Sequence, residues 1–152
     1  TVTFFSDALL EDITATNTKA RGLINTTTRK ASFIVPINQF QFAKKLMQEH
    51  FNEKYMESDK YPNATFSGTI SDLHMGASGS HSVRAKGVLK VHGITREVDI
   101  SGSVKWNGNR LIIDATFIVR LEDYQIAIPT LMWQNIAEEV EVKLNMTLRP
   151  VP

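Results

Sequence analysis

The chain has 152 residues, of which 42% are hydrophobic and 22% charged, and its formal net charge is +1. This length predicts one domain with a sizeable core, and the near-neutral charge disfavours binding to nucleic acid or to an anionic membrane surface. The sequence contains no cysteine, so disulfides, thiolate metal sites and cysteine nucleophiles are excluded.

The amino-terminal residues predict neither a leader nor a membrane anchor within this sequence. The chain begins at Thr1 in a strand-like stretch, without an initiator methionine or a signal-like apolar leader. We expect that a leader has been removed or trimmed from view. The apolar runs are far shorter than the roughly 20 residues of a membrane-spanning helix, so no integral membrane segment is expected.

Four short extended segments are predicted before the first helix. They lie at Val2–Phe5, from Ile13 to Asn17, at Ala20–Ile24 and from Ala31 to Ile37. Alternation of apolar and polar residues is clearest in the fourth segment, as expected for a strand with one buried face. Pro36 cannot donate a backbone hydrogen bond, which predicts an edge or a bend at that strand end.

One amphipathic helix is predicted after the fourth segment. Asn38 and Gln41 have the spacing of a capping box, which places the helix start near Asn38. The start can also lie several residues later, because Phe40 and Phe42 suit an extended segment. Apolar helical spacing predicts an inward stripe formed by Ala43, Leu46, Met47, His50, Phe51 and Lys54.

The second half of the chain predicts a series of strands joined by short turns. Alternation runs through Ser82–Val104 with a break at His92–Gly93, and Asn107–Gly108 predicts a hairpin turn. The inward face includes small residues, which indicate either a hollow interior or bends at barrel corners. These small residues are Ala85, Gly87, Gly102 and Ala115.

Eight or nine strands with short links and one helix predict an all-β fold with one main helix. Successive strands joined by short turns are antiparallel, and such sheets form sandwiches or close into barrels. An eight-stranded barrel encloses just enough space for side chains or for one small ligand. No repeat or internal boundary divides the chain, so residues 1–152 are expected to form a single domain.

Four segments, spread over most of the chain, resemble the YceI-like family of lipocalin-like polyisoprenoid-binding proteins. The segments are Phe40-x-Phe42 with Met47-x-x-His50-Phe51-x-x-x-Tyr55-Met56, then Lys60-Tyr61-Pro62-x-Ala64-x-Phe66-x-Gly68, then Gly87-x-Leu89-x-Val91-His92-Gly93-Ile94-Thr95-Arg96-x-Val98, and Phe117-x-Val119-x-Leu121-x-Asp123-Tyr124-x-Ile126. Where many members have Arg-x-(Asp/Glu)-(Phe/Tyr)-Gly, this chain has Leu121-Glu122-Asp123-Tyr124, which leaves the tunnel length open.

The resemblance implies an extended eight-stranded antiparallel β-barrel with a helical cover. It also implies a lengthwise apolar tunnel that holds a polyisoprenoid, an isoprenoid quinone or a fatty-acyl chain, in a soluble bacterial protein exported to the periplasm. The expected partner is therefore a hydrophobic small molecule. Long exposed strand edges would in addition favour a homodimer.

Eleven residues are candidates for the tunnel lining. Trp133 either lines a tunnel mouth or plugs the barrel end, and the others are core residues if the interior is filled. A filled interior would make the protein a non-catalytic interaction or stress-associated module. The candidates are Phe33, Val35, Leu46, Phe66, Ile70, Leu89, Val91, Ile100, Phe117, Val119 and Trp133.

The sequence carries no pattern that predicts catalysis. The four histidines, at His50, His74, His81 and His92, are scattered and do not form a zinc-protease helix motif. The sequence has neither a Gly-x-Ser-x-Gly nucleophile elbow nor a phosphate-binding glycine loop. We expect no enzymatic activity, no cofactor and no metal site.

Overall fold

The computed structural model describes residues 1–6, 13–73, 79–127 and 138–151. Within these ranges, ten strands form one continuous antiparallel sheet, with a single short α-helix. The strands are β1 (Val2–Ser6), β2 (Ile13–Asn17), β3 (Arg21–Ile24), β4 (Lys30–Pro36), β5 (Gln41–Phe42), β6 (Asn63–Ser71), β7 (Ser80–Val91), β8 (Ile94–Asn107), β9 (Arg110–Arg120) and β10 (Glu139–Leu148), and the helix is α1 (Lys45–His50).

The strand order in the sheet is β3-β4-β6-β7-β8-β9-β10-β1-β2-β5. The sheet curls until β3 contacts β10, since a Cβ built on Gly22 would lie 2.9 Å from Met146 Sδ. The all-β, antiparallel, lipocalin-like class is therefore confirmed. The predicted count of eight strands is wrong for the described residues, because very short segments such as Gln41–Phe42 also pair into the sheet.

Two tight turns place the long strands in register. His92 and Gly93 join β7 to β8 with φ values of 55° and 74°, the pair of positive φ values typical of a type I′ hairpin. The turn from β8 to β9 is formed by Gly108 and Asn109, one residue later than predicted, because Asn107 pairs with Arg110.

The helix is shorter than the sequence predicted and begins later. Asn38 lies in a 3₁₀ turn at Ile37–Gln39 and caps no helix, so the predicted capping box is wrong. The helix α1 starts at Lys45 and runs into a π-helical turn at Phe51–Tyr55. The inward stripe is formed by Met47, Phe51 and Tyr55. Met47 and Phe51 of the predicted stripe are therefore confirmed, whereas Ala43, Leu46 and Lys54 are exposed.

Four phenylalanine rings close one end of the curled sheet. Phe4 comes from β1, Phe40 and Phe42 precede the helix, and Phe51 follows it. Phe4 and Phe51 stack at 5.3 Å, and the other neighbouring ring centroids lie 5.0 to 5.6 Å apart. Aromatic pairs at such distances add about 0.5–1.5 kcal/mol each beyond the area they bury, so this aromatic cluster holds the helical cover on the sheet.

A glycine pair lets β6 and β7 approach each other closely. Gly68 and Gly87 are opposite each other in register. A Cβ on Gly87 would overlap the carbonyl oxygen of Ser67, and a Cβ on Gly68 would overlap that of Lys86. The pair therefore marks a bend of the sheet, which is the barrel-corner alternative left open by the sequence.

The glycine pair predicts that a glycine-to-alanine substitution in a strand lowers the stability of the protein, which is the opposite of the usual effect. Replacing strand glycine with alanine normally stabilises by about 0.5–1 kcal/mol. We expect Gly87→Ala to lower the free energy of unfolding by about 1–3 kcal/mol, because the new methyl group overpacks the bend. Ser67→Ala, on the exposed face, should change the free energy by less than about 0.5 kcal/mol. Urea unfolding measures both, and a stabilised Gly87→Ala would contradict the close approach.

The revised helix stripe predicts opposite outcomes for two helix residues that the sequence treated alike. Phe51→Ala should lower the free energy of unfolding by about 3–5 kcal/mol, because Phe51 contacts three other rings. Leu46→Ala should cost less than about 0.5 kcal/mol, since Leu46 is 63% exposed. If thermal or urea unfolding showed equal losses of free energy in the two variants, the result would contradict this assignment and support the stripe predicted from the sequence.

Candidate functional site

An apolar cavity of about 210 Å³ lies inside the curled sheet. Its wall is formed by inward-facing residues of the long strands, and the aromatic cluster covers one end through Phe4, Phe40 and Phe51. Alternation of side chains across each strand produces this wall, because every second residue points to the same face. The side chains that line the space do not fill it.

Nine of the eleven predicted lining residues surround this cavity. They are Phe33, Val35, Phe66, Ile70, Leu89, Val91, Ile100, Phe117 and Val119.

Two predicted lining residues are not found in the wall. Leu46 is exposed on the outer side of α1, so its predicted place in the lining is wrong. The inward face of α1 contains Met47, and Leu46, about 100° further round the helix, faces solvent. Trp133 lies outside the described residues.

Several cavity residues were missed because they lie outside the long strands. Tyr55 and Met56 come from the π-helical turn, and Leu121 and Ile126 come from the segment that follows β9. The spacing of Phe51 and Tyr55, four residues apart, is a helical signal that points to one face. No comparable signal marks Leu121 and Ile126, whose position is set by contacts distant in sequence.

Small residues contribute to the cavity as expected, with one exception. Ala85, Gly102 and Ala115 belong to its wall. Gly87 does not, because it lies at the bend opposite Gly68. Ala64 on β6 also lines the cavity, so small residues from four strands contribute to the space inside the sheet.

The cavity wall is almost devoid of polar groups. Among the described lining residues, only Tyr55, Thr65 and Asp114 have polar or charged side chains. Asp114 is exposed and points outward, where its Oδ1 accepts a hydrogen bond of 2.6 Å from Asn145 Nδ2. Burial raises the pKa of Tyr55, so its phenol stays neutral at physiological pH. The wall therefore presents no charge to a ligand.

A histidine joins three segments at the turn between β7 and β8. His92 Nε2 lies 2.7 Å from Glu57 Oε2, and its Nδ1 lies 3.0 Å from the carbonyl oxygen of Tyr124. Nδ1 must donate, because a carbonyl oxygen only accepts. The His92 ring also packs edge-on against Tyr61 at 4.7 Å. These contacts fix the helix exit and the segment after β9 to the sheet beside the cavity.

Tyr124 completes this junction from the segment after β9. Its side chain is buried, and burial, with a smaller effect of the Asp123 carboxylate, raises the pKa of Tyr124. Sequence reasoning gave His92 only a role in the turn. The partners at Glu57 and Tyr124 lie more than thirty positions away and leave no local signal.

The described part of the chain offers neither a metal-binding cluster nor a membrane-spanning helix. Across those residues, no group of three or more His, Asp or Glu side chains converges to hold a metal ion. Among the same residues, no helix has the length and apolar character needed to cross a membrane. His74 lies outside the described residues.

Three solved structures share this fold over nearly their whole length. BcnA of Burkholderia cenocepacia is 16% identical, with a TM-score of 0.80, and the match covers 97% of this chain and 94% of that one. A polyisoprenoid binding domain from Saccharophagus degradans, implicated in plant cell wall breakdown, is 18% identical, with a TM-score of 0.84 and coverages of 98% and 93%. The Campylobacter jejuni YCEI protein is 9% identical, with a TM-score of 0.76 and coverages of 96% and 90%.

At these low sequence identities, the similarity shows a shared fold and does not establish a shared function. No curated protein matches the sequence. The YceI-like domain, as a family, matches residues 1–148. The match spans nearly all of the chain, from β1 to the last residue of β10, and agrees with the resemblance carried by the four sequence segments. The protein belongs to the YceI-like family.

Proposed function

We propose that the protein binds a long, uncharged apolar molecule in its interior and performs no chemistry on it. A polyisoprenoid or isoprenoid quinone is the expected ligand class. The observation that carries the proposal is the apolar cavity of about 210 Å³ enclosed by the sheet. An engineered apolar cavity of about 150 Å³ stays dry and binds benzene, so this space is large enough for at least one isoprene unit.

The energetics of an empty cavity support occupancy. A cavity costs about 24 cal/mol for each Å³ that remains unfilled. An apolar ligand restores contacts at about 0.8 kcal/mol for each CH₂ group buried. Ligand binding should therefore stabilise the folded protein strongly.

The chemistry of the wall favours a neutral chain over a fatty acid. A carboxylate buried without a partner carries a large desolvation cost. The interior offers no cationic side chain among the described lining residues. A fatty-acyl chain would have to leave its carboxylate at an opening, whereas an isoprenoid carries no such charge.

The alternative of a filled interior is disfavoured by the same cavity. A packed core would leave no space larger than a water molecule, and it would give Ala85, Gly102 and Ala115 no reason to be small. We extend the proposal to a bacterial protein that acts in the periplasm, in line with the family resemblance. Cell fractionation of a bacterium that expresses the natural gene tests this location.

A ligand comparison tests the proposed chemistry. Farnesol, geranylgeraniol and palmitate are titrated against the purified protein, and the melting temperature is followed at each concentration. We expect the two isoprenoid alcohols to raise the melting temperature, with geranylgeraniol more effective, and palmitate to act less at equal chain length. The absence of stabilisation by every apolar ligand would contradict the proposal.

A cavity-filling substitution tests the location of the site. Ala85→Phe should lower isoprenoid affinity at least about tenfold, because the ring would occupy space that the ligand needs. Lys86→Phe places the same ring one residue further on, on the exposed face, and should leave affinity unchanged. Circular dichroism shows that both variants fold. Equal affinity in the two variants would place the site outside the cavity.

A further inference from the structure

The strands β8 and β9 are hydrogen-bonded over only part of their length. They pair from Gly102 with Ala115 to Asn107 with Arg110. Beyond Gly102, residues 94–101 of β8 have no strand partner on the β9 side, and residues 116–120 of β9 have none on the β8 side, within the described part of the chain. The two strands therefore frame a slit in the side of the sheet.

Each side of the slit is fixed by a fully paired neighbour. The strand β8 pairs with β7 from Ile94 to Lys105, and β9 pairs with β10 from Leu111 to Arg120. The separation is therefore confined to one seam and is not fraying at a sheet edge. The slit belongs to the built architecture of the sheet.

The pairing of β8 with β9 stops where the inward residues change from small to large. Gly102 and Ala115 meet at the apex, where a Cβ on Gly102 would lie 2.6 Å from the carbonyl oxygen of Asp114. Continued pairing would set Ile100 opposite Phe117, two large side chains that both point into the cavity. Large inward residues do pair elsewhere in the sheet, as Phe33 does with Phe66, so the change in residue size marks the end of the pairing without by itself accounting for it.

Charged groups on the outer face reinforce the separation. Asp99 accepts hydrogen bonds of 3.1 and 2.9 Å from Arg84 on β7, and Arg120 donates one of 2.7 Å to Glu122. Both charges thus find partners on their own side of the slit. The contacts of Asp99 and Arg120 therefore do not attract the two strands to each other.

A side-chain strut closes the far end of the slit. Strand alternation places Arg96 on the inward face of β8. Its side chain is nevertheless 51% exposed, because it reaches across to the segment after β9. Its Nε donates to the carbonyl oxygen of Asp123 at 3.0 Å, and its Nη2 donates to Asp123 Oδ1 at 3.2 Å. The slit is therefore a window, bounded by the apex pair at one end and by Arg96 at the other.

We propose that this window is the portal through which an apolar chain moves sideways into and out of the cavity. The inference rests on the proposed function. The cavity wall continues to both sides of the window, through Ile100 on β8 and through Phe117 and Val119 on β9. A long chain that moves sideways does not have to thread past the aromatic cluster at the end of the sheet.

Closing the window with a disulfide tests the portal. The chain has no cysteine, so Asp99→Cys with Ile118→Cys creates one pair, placed opposite each other on the outer face if the register continues. The matched control, Ile118→Cys with Glu141→Cys, lies across the intact β9–β10 seam. The probe is farnesol esterified with a fluorescent anthraniloyl group. Mass spectrometry verifies that each disulfide has formed. Where a cysteine pair does not oxidise, a short bismaleimide cross-links the two sulfurs instead.

The expected result is kinetic. Bridging the window should slow both association and dissociation of the probe at least about tenfold in stopped-flow measurements, and cleavage of the disulfide should restore them. Bridging the control seam should change neither rate. Unchanged rates in the bridged window variant would overturn the portal. A probe that binds neither the wild type nor any variant would contradict the proposed function, and the portal with it.

The strut provides a second, independent test. Arg96→Gln removes the contact with Asp123 and should raise both rate constants severalfold while leaving the melting temperature nearly unchanged, since exposed ion pairs stabilise little. Arg84→Gln removes a similarly exposed pair, 56% exposed at the arginine, that does not cross the window. Equal rates in the two variants would show that Arg96 does not bound the portal.

Discussion

Antiparallel pairing with strict alternation directs every second side chain of each strand to one face, and a strongly curled sheet then encloses that face. In this protein the enclosed residues are almost all apolar, and four of them, Ala64, Ala85, Gly102 and Ala115, are small. The backbone of the sheet is held by its hydrogen bonds whether or not the interior is full. A space of about 210 Å³ can therefore persist, although it lowers the stability of the empty protein.

The cavity is closed by aromatic packing at one end and by polar contacts at its side. Stacked rings around Phe51 cover one end and are well packed. The junction at His92 and the strut at Arg96 consist of polar contacts, and they lie beside a seam whose strands pair over only part of their length. Regions held by few buried apolar contacts open more readily than packed cores. This contrast is why we place ligand movement at the side of the sheet.

Strand alternation carried most of what the sequence could predict. It identified the faces of the long strands and, with them, the wall residues from Phe33 to Val119. The helical spacing read from Ala43 onward failed at Leu46, because the inward face of α1 and of the π-helical turn after it is narrow and is formed by Met47, Phe51 and Tyr55. Alternation predicts which way a side chain points, but it does not predict whether two neighbouring strands stay paired. The window could therefore not be predicted from the sequence.

The most direct measurement is lipid extraction and mass spectrometry of the protein purified from its natural host, with native mass spectrometry of the intact complex. We expect one long apolar molecule without a charged group in its chain, bound at a ratio of one to each folded protein. Protein that is recovered empty, and that also fails to take up any isoprenoid when one is supplied, would contradict a ligand-carrying cavity.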